Sequence, residues 1–245
     1  MKIFKHKIDL KKELIGINSL SFIPTMGGLH AGHKSLIQKA KKKTKKIIVS
    51  IFVNPKQFNS KKDYNIYPRN LKKDLNILKK LDVDYVYTPN FSDIFLFKTK
   101  NKIYMDKFSK KLCGKYRKNH FSGVVNVVNR FLEIIKPKFI LLGKKDFQQL
   151  YLIKKHIHKN YISTKVVSCN TIREKNGVAC SSRNHNLSKK EMLIASKVYS
   201  YLFKQKKIIK TKRLFIVNKE KNISDLRLLG ASKIEYLEFL NLNNL

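Results

Sequence analysis

Residues 47–53 read IIVSIFV, an apolar and mostly β-branched run interrupted only by Ser50. Such a run suits a strand whose two faces are both covered, the pattern of parallel sheets in α/β proteins. Shorter runs recur at 19–24 (SLSFIP), 84–88 (DYVYT), 139–142 (FILL) and 165–169 (KVVSC). Between them lie stretches with helical spacing. Residues 33–42 place Leu36, Ile37 and Ala40 on one face, and residues 70–81 do the same with Leu71, Leu75 and Leu78. Residues 123–135 turn Val124, Val127, Val128, Phe131 and Ile135 inward, and 146–157 form a further helix. Strand and helix alternating in this way predict an α/β fold, a Rossmann-like doubly wound parallel sheet.

After about residue 171 the pattern changes. Ser188 and Glu191 form an S-x-x-E capping box ahead of a helix expected to reach about Lys207. The remainder is short, polar and mixed. The expected division is a first domain over 1–171 and a small C-terminal domain over 172–245.

A chain of 245 residues can bury a core without disulfides, and 42% apolar residues exclude general disorder. Cys113, Cys169 and Cys180 are an odd, sparse set with no Cys-x-x-Cys pair, so free thiols in a reducing compartment are expected. The N-terminus lacks the apolar core of a signal peptide, and no run of 18 apolar residues occurs. A soluble cytoplasmic protein without membrane partners is the expectation.

Lys and Arg number 54 against 16 acids, a net charge of +38. That balance invites a nucleic-acid-binding reading. Its distribution argues otherwise. Successive fifty-residue blocks, the last of 45, hold 12, 10, 12, 10 and 10 basic residues. A binding face would concentrate them. The charge is read as a compositional bias, with lysine as the generic solvated residue and no specific nucleic-acid partner.

Four motifs carry chemistry. Residues 24–33, PTMGGLHAGH, lie where the first strand gives way to a helix. In doubly wound folds ligands bind at the carboxyl ends of strands. Glycines there let backbone N–H groups approach a phosphate, and the helix N-terminus adds partial positive charge. His30 and His33 can donate to the same anion, and H-x-G-H in this setting marks nucleotidyl transfer at an α-phosphate. No Cys or acid cluster accompanies the pair, so no metal-ligand set is assigned. Residues 50–58, SIFVNPKQF, end the second buried strand with the neutral amides Asn54 and Gln57, which can hold a carboxylate or hydroxyls. Residues 142–149, LGKKDFQQ, follow another strand. There Lys145 can reach nucleotide phosphates. Asp146 can cap the helix, hold a ribose hydroxyl or orient a metal. Gln149 shares its helical face. Residues 171–184 carry Ser181, Ser182 and Arg183, two hydroxyls and a guanidinium suited to a mobile polyphosphate clamp. From the residues alone, the reading stops at a nucleotide α-phosphate transferase acting on a small polar substrate.

The stretches FIPTMGGLHAGH, VSIFVNPKQF, YPRNL, HFSGV, LGKKDFQQL and REKNGVACSSRN closely resemble the pantoate–β-alanine ligase (pantothenate synthetase) family, in its order and spacing. The resemblance implies a two-step, ATP-dependent reaction with Mg²⁺ assisting. Pantoate attacks the α-phosphate of ATP to give pantoyl adenylate and pyrophosphate. β-Alanine then attacks the acyl group, giving pantothenate and AMP. It also implies a homodimer. By position, Met26, Gly27, Gly28, Leu29, His30, Ala31, Gly32 and His33 line the ATP site, together with Gly143, Lys144, Lys145, Asp146, Ile172, Cys180, Ser181, Ser182 and Arg183. His30, His33, Lys145 and Arg183 are the catalytic set, with His33 in the role usually called proton donor. Gln57 and Gln149 hold pantoate, and Gln57 is also near β-alanine.

The chain departs from the family pattern at several points. Cys113 and Lys144 stand where Glu is usual. Cys180 replaces an apolar residue, and Gly28 replaces Ala or Asn. The segment after Asn184 is shorter than the family's C-terminal lid domain, and its final strands are not expected. Three other readings stay open: another H-x-G-H nucleotidylyltransferase, a basic nucleic-acid binder, and a scaffold that has lost its chemistry.

Overall fold

The computed structural model describes residues 1–212 and 218–242. Residues 213–217 and 243–245, on which the expectation about final strands partly falls, lie outside the described residues. The chain forms two compact units, Met1–Ile172 and Arg173–Leu245.

The first unit runs β1 (Lys2–Phe4), α1 (Lys7–Glu13), β2 (Leu20–Thr25), α2 (Ala31–Lys41), β3 (Lys46–Ile51), α3 (Lys61–Ile66), α4 (Leu71–Lys80) and β4 (Tyr85–Tyr87). It continues with α5 (Phe91–Phe95), α6 (Cys113–Tyr116), α7 (His120–Ile135), β5 (Phe139–Gly143), α8 (Phe147–Lys159) and β6 (Lys165–Cys169). All six strands are parallel, in the order β1-β4-β3-β2-β5-β6. From β2 the chain builds outward through β3 and β4, then returns to the other side of β2 for β5 and β6. The order therefore reverses between β2 and β5, the position where a doubly wound sheet leaves a crevice at its carboxyl edge.

Alternation along each strand feeds two cores. Phe22, Ile48 and Ile140 face Leu10 of α1, Phe131 of α7 and Ile153 of α8. Ile23, Ile47, Val49 and Leu141 face Ile37 and Ala40 of α2 and Leu78 of α4. Each fully buried side chain of this size contributes about 1.5–3 kcal/mol, so the two-faced burial explains the near-continuous apolar runs. The expected elements are present with shifted ends. Six further elements, β1, α1, α3, α5, α6 and, in the second unit, α10 (Lys219–Leu228), have no counterpart in the sequence pattern. β1 spans three residues, is largely exposed and pairs only with β4, so it carries no periodic signal.

The second unit contains α9 (Lys189–Lys212) and α10 (Lys219–Leu228). The Ser188–Glu191 capping box is present: the Ser188 N–H donates to Glu191 Oε2 at 2.7 Å and the Glu191 N–H to Ser188 Oγ at 3.2 Å. Ahead of it, an Arg173–Ala179 bridge closes a short hairpin whose Arg173 guanidinium lies 4.0 Å from the Tyr199 ring centre. Tyr201 OH ties α9 to α10 by donating to Asp225 Oδ2 at 2.7 Å. Among the described residues, no helix is long and apolar enough to cross a membrane.

Candidate active site

Three of the sequence motifs meet at the carboxyl edge of the sheet. The glycine turn follows β2, the Asn54–Gln57 loop follows β3, and Lys145 follows β5. β2 and β5 flank the strand-order reversal.

The glycine turn is held from several sides. Thr25 Oγ1 donates to the Ser50 carbonyl at 2.7 Å and accepts the Gly27 N–H at 3.2 Å. Gly27 and Gly28 both take positive φ, 81° and 62°, a conformation that a side chain would strain. The Gly28 and Leu29 N–H groups donate to Asp74 Oδ2 and Oδ1 at 2.9 and 2.8 Å. The His30 N–H donates to His33 Nδ1 at 3.3 Å, and the Gly32 N–H to His30 Nδ1 at 3.1 Å. For five of the turn's amides this differs from the expectation that they are open to a phosphate. The amides of Gly27, Gly28, Leu29, His30 and Gly32 are each taken by a protein acceptor, as polar groups at a half-buried turn must be.

With these five amides engaged, the two histidine side chains gain weight as donors to a ligand. The two imidazole rings lie 4.1 Å apart, centre to centre. Each accepts a backbone N–H at Nδ1, so a neutral ring carries its proton on Nε2. Burial, with the His30 ring and the Lys145 ammonium adding to it, pushes His33 down to about 3. His33 is thus a neutral hydrogen-bond donor at physiological pH, and the influence of Lys145 places all three groups in one electrostatic neighbourhood.

Lys145 Nζ pairs with Asp146 Oδ1 at 3.2 Å, and both side chains are exposed. Asp146 stands at the N-cap of α8 but makes no side-chain cap bond, so capping is not its role. Lys144 reaches sideways to Asn170 Oδ1 at 3.1 Å. Gln149, half-buried in the first turn of α8, has no side-chain hydrogen bond among the described residues. Its neighbour Gln148 points elsewhere, donating to the Phe108 and Lys111 carbonyls at 2.8 and 2.7 Å.

Gln57 is joined to the glycine turn. Its Nε2 donates to Met26 Sδ at 2.8 Å, while Asn54 Nδ2 donates to Gln57 Oε1 at 3.3 Å and to the Gly123 carbonyl at 3.1 Å. Buried His120 donates from Nδ1 to the Gln57 carbonyl at 2.7 Å. The contacts of Asp74 and His120 leave no signal in the sequence. Asp74 reads as one polar position on an amphipathic helix, and His120 as part of a motif without a partner.

In the second unit, Cys180 and Ser182 are buried and Arg183 is exposed, with the Arg183 N–H donating to Ser181 Oγ at 3.2 Å. Ile172, the last residue of the first unit, is half-buried. Among the described residues, no three His, Cys, Asp or Glu side chains converge as a metal site.

Comparison with known proteins converges on one family. The profile of the pantoate-beta-alanine ligase family matches residues 2–245. Pantothenate synthetase from Francisella tularensis subsp. novicida is 40% identical over 237 residues, covering 95% of this chain and 86% of that protein. The crystal structure of Pantoate-beta-alanine Ligase from Francisella tularensis, described as complexed with Beta-gamma ATP and Beta-alanine, superposes with a TM-score of 0.86 at 39% identity, covering 98% of this chain and 90% of that one. Pantothenate synthetase from Thermus thermophilus gives a TM-score of 0.84 at 28% identity, covering 94% and 82%. With a family profile matched over almost its whole length and the glycine turn, Gln57 loop and Lys145 segment gathered at one sheet edge, the chain belongs to the pantoate–β-alanine ligase family.

Proposed function

We propose that this protein condenses pantoate with β-alanine, driven by ATP and through a pantoyl-adenylate intermediate, in the biosynthesis of pantothenate and coenzyme A. The observation that carries the reading is the convergence of His30, His33, Lys145 and Gln57 at the strand-order reversal, in a chain of this family.

The chemistry follows from the groups present. A carboxylate of pantoate is already ionised at pH 7 and needs no base. Its oxygen bonds to the α-phosphorus as the bond to pyrophosphate breaks. Charge builds on the phosphoryl oxygens and on the departing pyrophosphate. Imidazole Nε2–H donors on His30 and His33 and the Lys145 ammonium offset that charge from fixed positions. Because His33 is held neutral, its role is to donate a hydrogen bond rather than to transfer a proton. Gln57, fixed between Met26 and Asn54, and Gln149 hold pantoate. The amine of β-alanine then bonds to the acyl carbon, AMP departs from it, and the ammonium proton passes to solvent. Ile172 and, on the second unit, Cys180, Ser181, Ser182 and Arg183 are assigned to ATP by the family motif.

Magnesium accompanies ATP in this reading. Such ions are held largely by phosphates and water, with one or two carboxylates. The exposed Asp146 carboxylate, beside Lys145, fits that limited role. When bound, the ion would neutralise phosphate charge. The protein is further taken to be a cytoplasmic homodimer, which sedimentation of the purified protein and cell fractionation test.

The deciding experiment measures AMP release from ATP with pantoate, with and without β-alanine. Pyrophosphate release that requires pantoate, and AMP release that requires both, are expected. AMP release with no amine requirement would favour another nucleotidylyltransferase.

A further inference from the structure

We propose that Asp74 is a positioning residue for the histidine pair: its carboxylate takes the Gly28 and Leu29 amides of the glycine turn and so directs phosphate to the imidazole N–H groups instead of to those two amides. The role in catalysis rests on the ligase reading above; the role in ordering the turn stands apart from it.

Asp74 is 3% exposed, and among the described residues it forms no ion pair. Burying a carboxylate without a cation is costly unless hydrogen bonds hold it. Here both oxygens are engaged, one by the Gly28 N–H and one by the Leu29 N–H. Asp74 lies in the first turn of α4, whose N-terminal partial charge favours an anion. Asn70 caps that helix, with Oδ1 accepting the Lys73 N–H at 2.9 Å, so the helix end that carries Asp74 is itself fixed.

The fit is close. A Cβ on Gly27 would lie 2.9 Å from Asp74 Oδ2. Gly27 is therefore required twice, for its positive φ and for the carboxylate's approach. Three successive amides follow: those of Gly28 and Leu29 point to Asp74, and that of His30 points to His33 Nδ1. Rotating the 28–29 peptides would break the bond that orients His33. A strand–turn–helix of this kind, with its amides free, is a phosphate-binding element. Asp74 takes the Gly28 and Leu29 amides out of that role and so shifts it toward the histidine side chains.

Asparagine is a sharp probe. It keeps the shape, but one of its two terminal atoms is an N–H donor facing an N–H. In Asp74→Asn, pantoate-dependent pyrophosphate release is expected to lose about 10–10²-fold in kcat, the scale for misplaced catalytic groups, with KM for ATP and pantoate changed less than about threefold. Nitrogen NMR of the histidine side chains should show the His33 Nε2–H tautomer of the wild type giving way to a mixture. A normal kcat, a loss confined to KM, or an unchanged His33 tautomer would overturn the proposal. Should Asp74→Asn not fold, hydrogen exchange of the wild type decides: slow exchange at Gly28 and Leu29 supports the carboxylate clamp, and fast exchange refutes it. If the wild type shows no pantoate-dependent turnover, the ligase reading fails, while the tautomer and exchange measurements still decide the ordering role of Asp74.

Discussion

The carbonyl of Lys56 packs directly on the Cα of Gly123, where a Cβ would fall 2.2 Å from the carbonyl oxygen. The loop carrying Gln57 is thereby seated on the first turns of α7, with His120 Nδ1 and Asn54 Nδ2 bonding across the same junction. Gly123→Ala should push this loop away. Destabilisation of about 1–3 kcal/mol, the usual scale for overpacking, is expected in urea unfolding. A pantoate KM raised well beyond that for ATP is expected in steady-state kinetics.

His33→Ala should fold, because the side chain sits at a half-buried helix start. Pantoate-dependent pyrophosphate release should fall about 10²–10³-fold, the cost of one transition-state donor. Since His33 is lowered to about 3, the wild-type pH–rate profile should show no acid limb from this residue in the physiological range. An NMR titration of His33 with a midpoint near neutrality would contradict the neutral-donor role.

Gln57→Leu and Gln149→Leu should weaken pantoate binding and leave ATP binding nearly unchanged, because substrate oxygens lose partners in a partly desolvated site. Calorimetry with each ligand separates the two. A selective loss of ATP affinity would move these residues into the nucleotide site.

His156 is fully buried, with Nε2 bonded to Asn129 Oδ1 at 3.0 Å and Nδ1 accepting the Tyr104 N–H at 3.2 Å. Burial lowers it to about 4 from an ordinary 6.5. Between those values the unfolded chain binds more protons than the folded one. Its contribution to stability is therefore full above about pH 6.5 and shrinks as pH falls toward about 4, with a slope approaching about 1.4 kcal/mol per pH unit. Below that it adds no further change. His33 acts in the same direction, so an NMR titration of the His156 ring separates its contribution from those of other groups. A His156 midpoint of about 6.5 would contradict this account.

The sheet and much of the site's cast are legible in the order of residues alone. Buried parallel strands need apolar residues on both faces, so β2, β3 and β5 announce themselves, and the H-x-G-H and N-P-x-Q motifs fall at their ends because chemistry collects where strands stop. The capping box of Ser188 and Glu191 is legible because it is a local exchange of hydrogen bonds within four residues. Which donors face the ligand is settled by the folded arrangement instead. The glycine turn looks in sequence like a cradle of free amides, yet Asp74, 46 and 45 positions from its partners Gly28 and Leu29, occupies two of them. Likewise His120, 63 positions from Gln57, fixes that loop. A hydrogen bond between distant residues leaves no periodicity and no spacing to read. It exists only once the sheet order brings α4 against the turn and α7 against the loop.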